Sequence, residues 1–196
     1  MSESDDRQIK HEQFMQRMRE KWKERRERPR PEALTAELLG ATPDDKLSQV
    51  VMDYVTGQLK KVPPHDRGEL IRKFPTAIRV VYAMIAVEAE VNNGGFHQFF
   101  FNSSGAYAGD ALTGFELLGL NDYAELMRRA TKCFADENEM QNRIRQNRNL
   151  ETFSASYKET NLGGFDKEFY ALNRSNPLRS VANRYIREHV QEFITN

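Results

Sequence analysis

The sequence has few of the groups that define the common structural classes of protein. It holds one cysteine, Cys133, which excludes an internal disulfide bond, and no other metal-binding residues cluster beside it. No apolar run approaches the roughly 20 residues that span a membrane. Charged residues from Glu3 onward argue against a secretory signal. We therefore expect a cytoplasmic protein with no membrane segment.

Signatures of standard catalytic sites are also missing. Gly94-Gly95 lacks the spacing and the lysine of a phosphate-binding loop, and the chain contains no Gly-x-Ser-x-Gly elbow. The four histidines are scattered along the chain, which argues against a preformed metal site. We expect no metal and no cofactor, and we favour a non-enzymatic role over an enzymatic one.

Lysine and arginine are absent over 48 consecutive residues, between Arg79 and Arg128, although the net charge of the chain is zero. Six carboxylates fall in this gap. Such a block of one charge shapes the electric field that a partner meets. We predict an acidic partner-binding surface that five of the six form: Glu90, Asp110, Glu116, Asp122 and Glu125.

The remaining pattern is helical throughout. Apolar residues recur at helical spacing between proline and glycine breaks, and no stretch alternates apolar and polar residues as a strand would. The sequence predicts an all-α fold, with a single compact domain of about seven to nine helices over residues 32–196. A charged helix over residues 1–31 precedes this domain.

The central helix is predicted over residues 75–93, ending at Gly94-Gly95, with a short helical segment over residues 96–101. Its apolar arc covers most of the circumference, which is typical of a buried helix. Glu88 falls inside that arc, so we expect a largely buried carboxylate that is hydrogen-bonded, paired or protonated. Glu90 falls on the narrow polar strip and is predicted to face outward.

Polar side chains gather around this helix end. The pattern predicts an inward network that either ties helix junctions together or binds a ligand, because amides and carboxylates suit both tasks. An enzyme or small-ligand binder built on this cluster is the alternative to a protein-binding role. The members of the predicted network are Glu88, Asn92, Asn93, His97, Gln98 and Asn102.

The segment Arg17–Arg30 offers a third possibility. It holds eight basic residues, which could contact nucleic acid directly. Three glutamates alternate through it, which is more typical of a solvated helix. We rank direct nucleic-acid binding last among the three hypotheses and leave it open.

The central stretch also carries a resemblance. Residues 88–105 read E-A-E-V-N-N-G-G-F-H-Q-F-F-F-N-S-S-G, followed by Ala111-Leu112 and Leu118-Gly119, and later by Phe165-Asp166-x-x-Phe169-Tyr170. This pattern resembles a bacterial family whose best-known member is a DNA-mimic protein, over roughly residues 40–195. The resemblance implies an all-α fold and a homodimer. It also implies a protein partner, a DNA-binding regulator whose DNA site the acidic side chains occupy.

Overall fold

The computed structural model describes residues 27–147 and 149–195, together with isolated positions between residues 12 and 23. The described chain divides into two units, residues 1–30 and residues 31–196. Most of the predicted helix over residues 1–31, including half of Arg17–Arg30, lies outside the described residues, so this helix and its role remain predictions. The fold below is that of residues 31–196.

The all-α prediction is confirmed: every regular element in the described part of the chain is helical. Ten α-helices occur there, and short 3-10 turns join several of them. None of these helices is long and apolar enough to cross a membrane. In chain order they are α1 (Ala36–Ala41), α2 (Leu47–Lys60), α3 (Arg67–Lys73), α4 (Thr76–Phe101), α5 (Ala108–Leu117), α6 (Asn121–Asp136), α7 (Asn138–Gln146), α8 (Leu150–Glu159), α9 (Asp166–Ser175) and α10 (Leu178–Glu188).

Helix α4 forms the centre of the domain because apolar side chains surround it on nearly every side. Ile78, Val81 and Ile85 pack into one apolar cluster with residues of α2 and α10. Met84 and Val91 pack into a second cluster with residues of α5, α6 and α9. Since a helix that is apolar all round must be covered on all sides, the helices of these two clusters surround α4.

The start and interruption of α4 follow from its proline and glycine residues. Pro75 precedes its first turn, where a missing N–H costs no helical hydrogen bond. The helix bends at Gly94-Gly95, which divides it into a first arm (residues 76–93) and a second arm (residues 96–101). These are the two segments that the sequence predicts.

The sequence does not predict helix α8. The polar pattern of residues 137–150 indicates one exposed helix, whereas in the structure α7 ends at Gln146 and a separate α8 runs over Leu150–Glu159. Asn149 caps α8 through its side chain, which accepts a hydrogen bond from the N–H of Thr152. Serine and threonine are frequent in α8, so its helical pattern is weak in the sequence. Helix α8 packs on the second arm of α4, where it contributes to the candidate site.

Candidate functional site

The bend of α4 needs glycine for a geometric reason. Gly95 has φ of +69°, in the left-handed region that L-residues rarely adopt. A Cβ atom on Gly95 would also lie 2.2 Å from Oδ2 of Asp166 on α9. Both the backbone conformation and the close approach of α9 therefore exclude larger residues at this position.

Three side chains from distant parts of the chain bond the backbone groups around the bend. The Tyr170 hydroxyl donates to the carbonyl of Val91 over 2.9 Å, and the Tyr157 hydroxyl donates to the carbonyl of Gly94. Oδ1 of Asp166 accepts from the N–H of Phe96 over 2.9 Å. These bonds satisfy polar groups that an unbroken helix would have paired internally. We call Tyr157, Asp166 and Tyr170 the bend clamp.

Burial makes Asp166 an unusual carboxylate. Loss of solvent raises its pKa, and the hydrogen bond from the N–H of Phe96 opposes part of that rise. The same burial raises the pKa values of Tyr157 and Tyr170, and the nearby charge of Asp166 adds to both shifts. The two tyrosines therefore stay protonated at neutral pH and act as hydrogen-bond donors at the bend.

Three of the six residues predicted to form a polar network, Asn93, Gln98 and Asn102, share one network, and its centre is Glu90. Oε2 of Glu90 accepts from Nε2 of Gln98 over 2.6 Å and from Nδ2 of Asn102 over 2.9 Å. Oε1 accepts from the hydroxyl of Ser104 over 2.8 Å. Asn93 donates to Oε1 of Gln98 over 2.8 Å, which extends the chain of bonds. The network thus joins both arms of α4 to the turn that follows it.

Two expectations about this cluster are wrong. Glu90 was expected to face outward with the acidic surface, but it is half-buried and bonds to three donors. Asn92 and Asn93 were expected to continue toward the core, but both are exposed. The helix bends directly after them, so the direction of the core changes at a point that the regular helical period cannot anticipate.

Glu88 belongs to a separate set of contacts. It is 6% exposed, as predicted, and Oε2 pairs with Nε of Arg179 over 2.8 Å. Nδ2 of Asn173 lies 3.3 Å from Oε1 of Glu88, and Oδ1 of Asn173 accepts from the N–H of Leu178. The buried carboxylate is therefore both paired and hydrogen-bonded, and it links α4 to α9 and α10.

His97 is buried on the second arm of α4, with 2% of its surface exposed. Its ring stacks on that of Tyr157 with centroids 4.1 Å apart, and Nε2 lies 3.1 Å from the hydroxyl oxygen of Thr160. Burial lowers the pKa of His97, and the nearby carbonyl of Ser156 partly opposes the shift. Nδ1 nevertheless lacks a partner with proper hydrogen-bond geometry. His97 is thus a neutral ring at physiological pH.

Four of the surface cavities that the described residues line have volumes of about 240 to 550 Å³. None of the four is lined by Glu88, Glu90 or His97. Within the described residues, no group of three or more potential ligands could hold a metal ion. The geometry therefore favours the interpretation of this network as a junction between helices.

The acids of the predicted surface are mostly paired with arginine. Asp110 pairs with Arg79 over 3.2 Å, and Glu116 pairs with Arg128 over 2.6 Å. These two arginines are the residues that bound the gap in the sequence. Arg128 and Arg129 also both reach Glu125. The Lys/Arg-free stretch is therefore partly neutralised in three dimensions.

Two further carboxylates, Asp122 and Glu168, belong to the same acidic surface. Asp122 is exposed and has no ion-pair partner in the described part of the chain. Glu168 on α9 pairs with Arg129, whose guanidinium also lies over the ring of Phe165. We define the α5–α6 surface as the carboxylates and arginines described in this and the preceding paragraph that lie beyond Asp110. It consists of Glu116, Asp122, Glu125, Glu168, Arg128 and Arg129, and its formal charge is −2.

Comparison with known protein families gives one result. The model of the DMP19-like protein family matches residues 72–189, more than half of the chain. The chain belongs to the DMP19-like family. This match confirms the resemblance to the DNA-mimic family. No curated protein and no solved structure matches the chain.

The region that matches the DMP19-like family runs from α3 to the end of α10. It includes the bend of α4, the bend clamp, the Glu90 network and the whole α5–α6 surface. Residues 1–71 lie outside it, so the match is narrower than the roughly 40–195 that the sequence suggested. The family features are thus those of the helical core around α4.

Several residues of this region of the DMP19-like chain were not among the candidates drawn from the sequence. Arg179 and Asn173 contact Glu88, and Tyr157 contacts the bend. Asp166 and Tyr170 were visible only as part of the resemblance, without a role. Each lies 63 or more positions from its partner along the chain. Only the tertiary fold brings such residues together.

Proposed function

We propose that the chain is a non-enzymatic protein that binds a protein partner through the α5–α6 surface. One observation carries this proposal: three exposed carboxylates pair with two arginines, and the exposed Asp122, three positions before Glu125 on α6, has no ion-pair partner in the described residues. An excess of carboxylates attracts a basic partner, because opposite potentials across an interface speed encounter and select partners. Membership of the DMP19-like family supports the same role.

The partner class that fits this charge is a basic DNA-binding protein. In this proposal, the carboxylates of the α5–α6 surface take positions that DNA phosphates would otherwise occupy. The surface is smaller than the sequence suggested, because Glu90 and Asp110 are half-buried, whereas the four carboxylates of the α5–α6 surface are exposed. Recognition therefore rests on Glu116, Asp122, Glu125 and Glu168. Binding of this kind weakens steeply as salt concentration rises.

The alternative, an enzyme or ligand binder centred on Glu90, has less support. A ligand would have to displace Gln98, Asn102 or Ser104, since both carboxylate oxygens already accept hydrogen bonds from these side chains. A general base must also reach a substrate within about 3 Å. The four cavities described above are not lined by Glu90, and we do not propose this second function.

The test begins with a photo-crosslinking amino acid at position 122 in living cells. A captured protein would then be purified and its affinity measured for the intact chain and for two variants. One variant carries Glu116→Gln, Asp122→Asn and Glu125→Gln. The control carries the same type of change at Glu37, Glu139 and Glu151, which are exposed and have no ion-pair partner in the described chain.

We expect the α5–α6 variant to bind about 3- to 150-fold more weakly at low salt, because three exposed charge contacts each contribute roughly 0.2–1 kcal/mol. The control should bind like the intact chain. Equal losses in both variants would overturn the proposal. For DNA mimicry, the intact chain must also displace a labelled duplex from the partner. A ternary complex of partner, duplex and chain would refute that part.

A further inference from the structure

A groove of about 510 Å³ lies beside the α5–α6 surface. Its walls come from the first turn of α4, the end of α5 and the length of α10. Leu117, which lines it, directly follows Glu116 of the α5–α6 surface. We call this cavity the α10 groove. The groove and the surface that we propose to bind a partner therefore meet at the adjacent residues Glu116 and Leu117.

The floor of the α10 groove is apolar. Ala77, Val181 and Tyr185 line it and are 8% exposed or less. Leu118 is half-buried beside them, whereas Leu117 is 55% exposed at the edge of the groove. An exposed leucine is ordinary by itself, but here it extends an apolar floor to the surface. A large apolar side chain of a partner would cover Leu117 and fill the groove.

Three charged side chains line this groove, and one of them, Glu192, accepts a hydrogen bond from the hydroxyl of Tyr185 over 3.0 Å. Arg184 and Glu188 lie one turn apart on α10, and both line the groove. Spacing of this kind commonly gives an ion pair, as in Lys73–Glu69 and Lys132–Asp136 of this chain. Arg184 and Glu188 form none, either with each other or with any residue that the structure describes. Both charges are exposed and available to a partner.

We propose that the α10 groove receives one amphipathic α-helix of a partner protein. That helix would place a large apolar side chain on the floor and on Leu117. An acidic and a basic side chain, one turn apart, would face Arg184 and Glu188. The proposal rests on the proposed function, since the partner is a protein, and it adds the chemistry by which that partner is recognised.

The dimensions and charges of the groove argue for a helix. From Val181 to Glu188 the axis of α10 rises roughly 10 Å, at 1.5 Å per residue, which matches about two turns of a helix beside it. Helices that dock in apolar grooves present anchors at positions i, i+3, i+4 and i+7. Charges one turn apart on α10 match charges one turn apart on the docked helix. A uniformly charged ligand would be repelled by either Arg184 or Glu188.

The test uses two synthetic helical peptides of 16 residues and the full chain. Both peptides carry a central leucine, and they differ only in the order of one lysine and one glutamate four positions apart. Binding would be followed by backbone amide chemical shifts and by fluorescence anisotropy. The protein variants are Leu117→Ser and the double swap of Arg184→Glu with Glu188→Arg. All three positions are exposed, so the fold should tolerate these changes.

We expect shifts confined to the groove, loss of binding in Leu117→Ser, and a preference of about fivefold for one peptide. The double swap should reverse that preference. Such a reversal is independent of the helical propensities of the two peptides. The absence of groove shifts, or a preference that survives the swap, would overturn the proposal. Groove shifts that depend on the concentration of the chain alone would assign the groove to a second copy and overturn it as well.

The two proposals fail in different ways. If position 122 crosslinks no partner, the proposed function fails, whatever the peptides do. If a partner binds through the α5–α6 surface but Leu117→Ser leaves its affinity unchanged, only the α10 groove proposal fails. The charge variants of the α5–α6 surface leave Arg184 and Glu188 intact, so each variant reports on one surface.

Discussion

Replacement of Glu90 is the sharpest test of whether the polar network holds the helices together. Glu90 accepts hydrogen bonds from Gln98, Asn102 and Ser104, which lie beyond the bend of α4. Glu90→Ala would leave all three donors without an acceptor. Glu90→Gln would keep one carbonyl oxygen for Gln98 and Asn102. Its new amide could donate to the Ser104 hydroxyl, which accepts as readily as it donates.

The two substitutions therefore differ in expected cost. At roughly 1 kcal/mol for each hydrogen bond of a half-buried group, Glu90→Ala should lower the free energy of unfolding by about 3 kcal/mol. Glu90→Gln retains the number of bonds and loses only their charge assistance, so about 1 kcal/mol is expected. For a chain of this size, each kcal/mol corresponds to a fall in Tm of about 2–4 °C.

Urea denaturation and thermal melting would measure both losses. Combining Glu90→Gln with Ser104→Ala provides the control, because the new amide then has no acceptor and the cost should rise again. Equal destabilisation by Glu90→Ala and Glu90→Gln would refute the proposed reversal of the Ser104 hydroxyl. A loss below about 1 kcal/mol in Glu90→Ala would show that the network does not stabilise the junction, which would reopen the ligand-binding alternative.

Two further predictions concern Gly95 at the bend of α4 and His97 on its second arm. Gly95→Ala should cost more than about 2 kcal/mol in urea denaturation, because it adds a clash with Asp166 to the strain of a positive φ. Gly119→Ala is the control, because Gly119 has φ of +67° but open space around it, so we expect a loss of only about 1 kcal/mol in the free energy of unfolding. Equal losses in the two variants would contradict the clash at Gly95. His97 has a lowered pKa in the fold, so the stability that it contributes is present above the ordinary histidine pKa and is lost as pH falls below it. His97→Phe, which keeps the ring, should flatten the decline in stability from pH 7 to pH 5, and an unchanged decline would exclude His97 as its source.

The course of α4 could be predicted from sequence because local residues determine it. Pro75 opens the helix, Gly94-Gly95 interrupts it, and the apolar arc predicts its burial. The burial of Glu88 follows from the same arc and is confirmed. Helical period and chain-breaking residues act over a few positions, so one sequence contains the information. This is why the all-α fold could be predicted from the sequence.

The candidate site was harder to predict from the sequence because its contacts cross the bend or join distant helices. The helical period places Glu90 on the polar strip of α4, facing outward. This direction holds only while the first arm is considered by itself. The second arm turns back and brings Gln98 and Asn102 to Glu90. Asp166 reaches the bend from 70 positions away. No local pattern in the sequence contains the angle of a glycine bend or the approach of another helix.

The charge gap shows the same limit for a surface. A stretch without lysine or arginine predicts an acidic face only if its carboxylates meet no cation from elsewhere. Here the arginines that bound the gap fold back on it, since Arg79 pairs with Asp110 and Arg128 pairs with Glu116. The α5–α6 surface as a whole keeps an excess of two negative charges. Recognition by charge alone would then be modest, because exposed ion pairs contribute little individually. The apolar α10 groove, which begins at Leu117, can add the binding free energy that these exposed charges do not provide. We therefore expect one partner to contact both the groove and the α5–α6 surface.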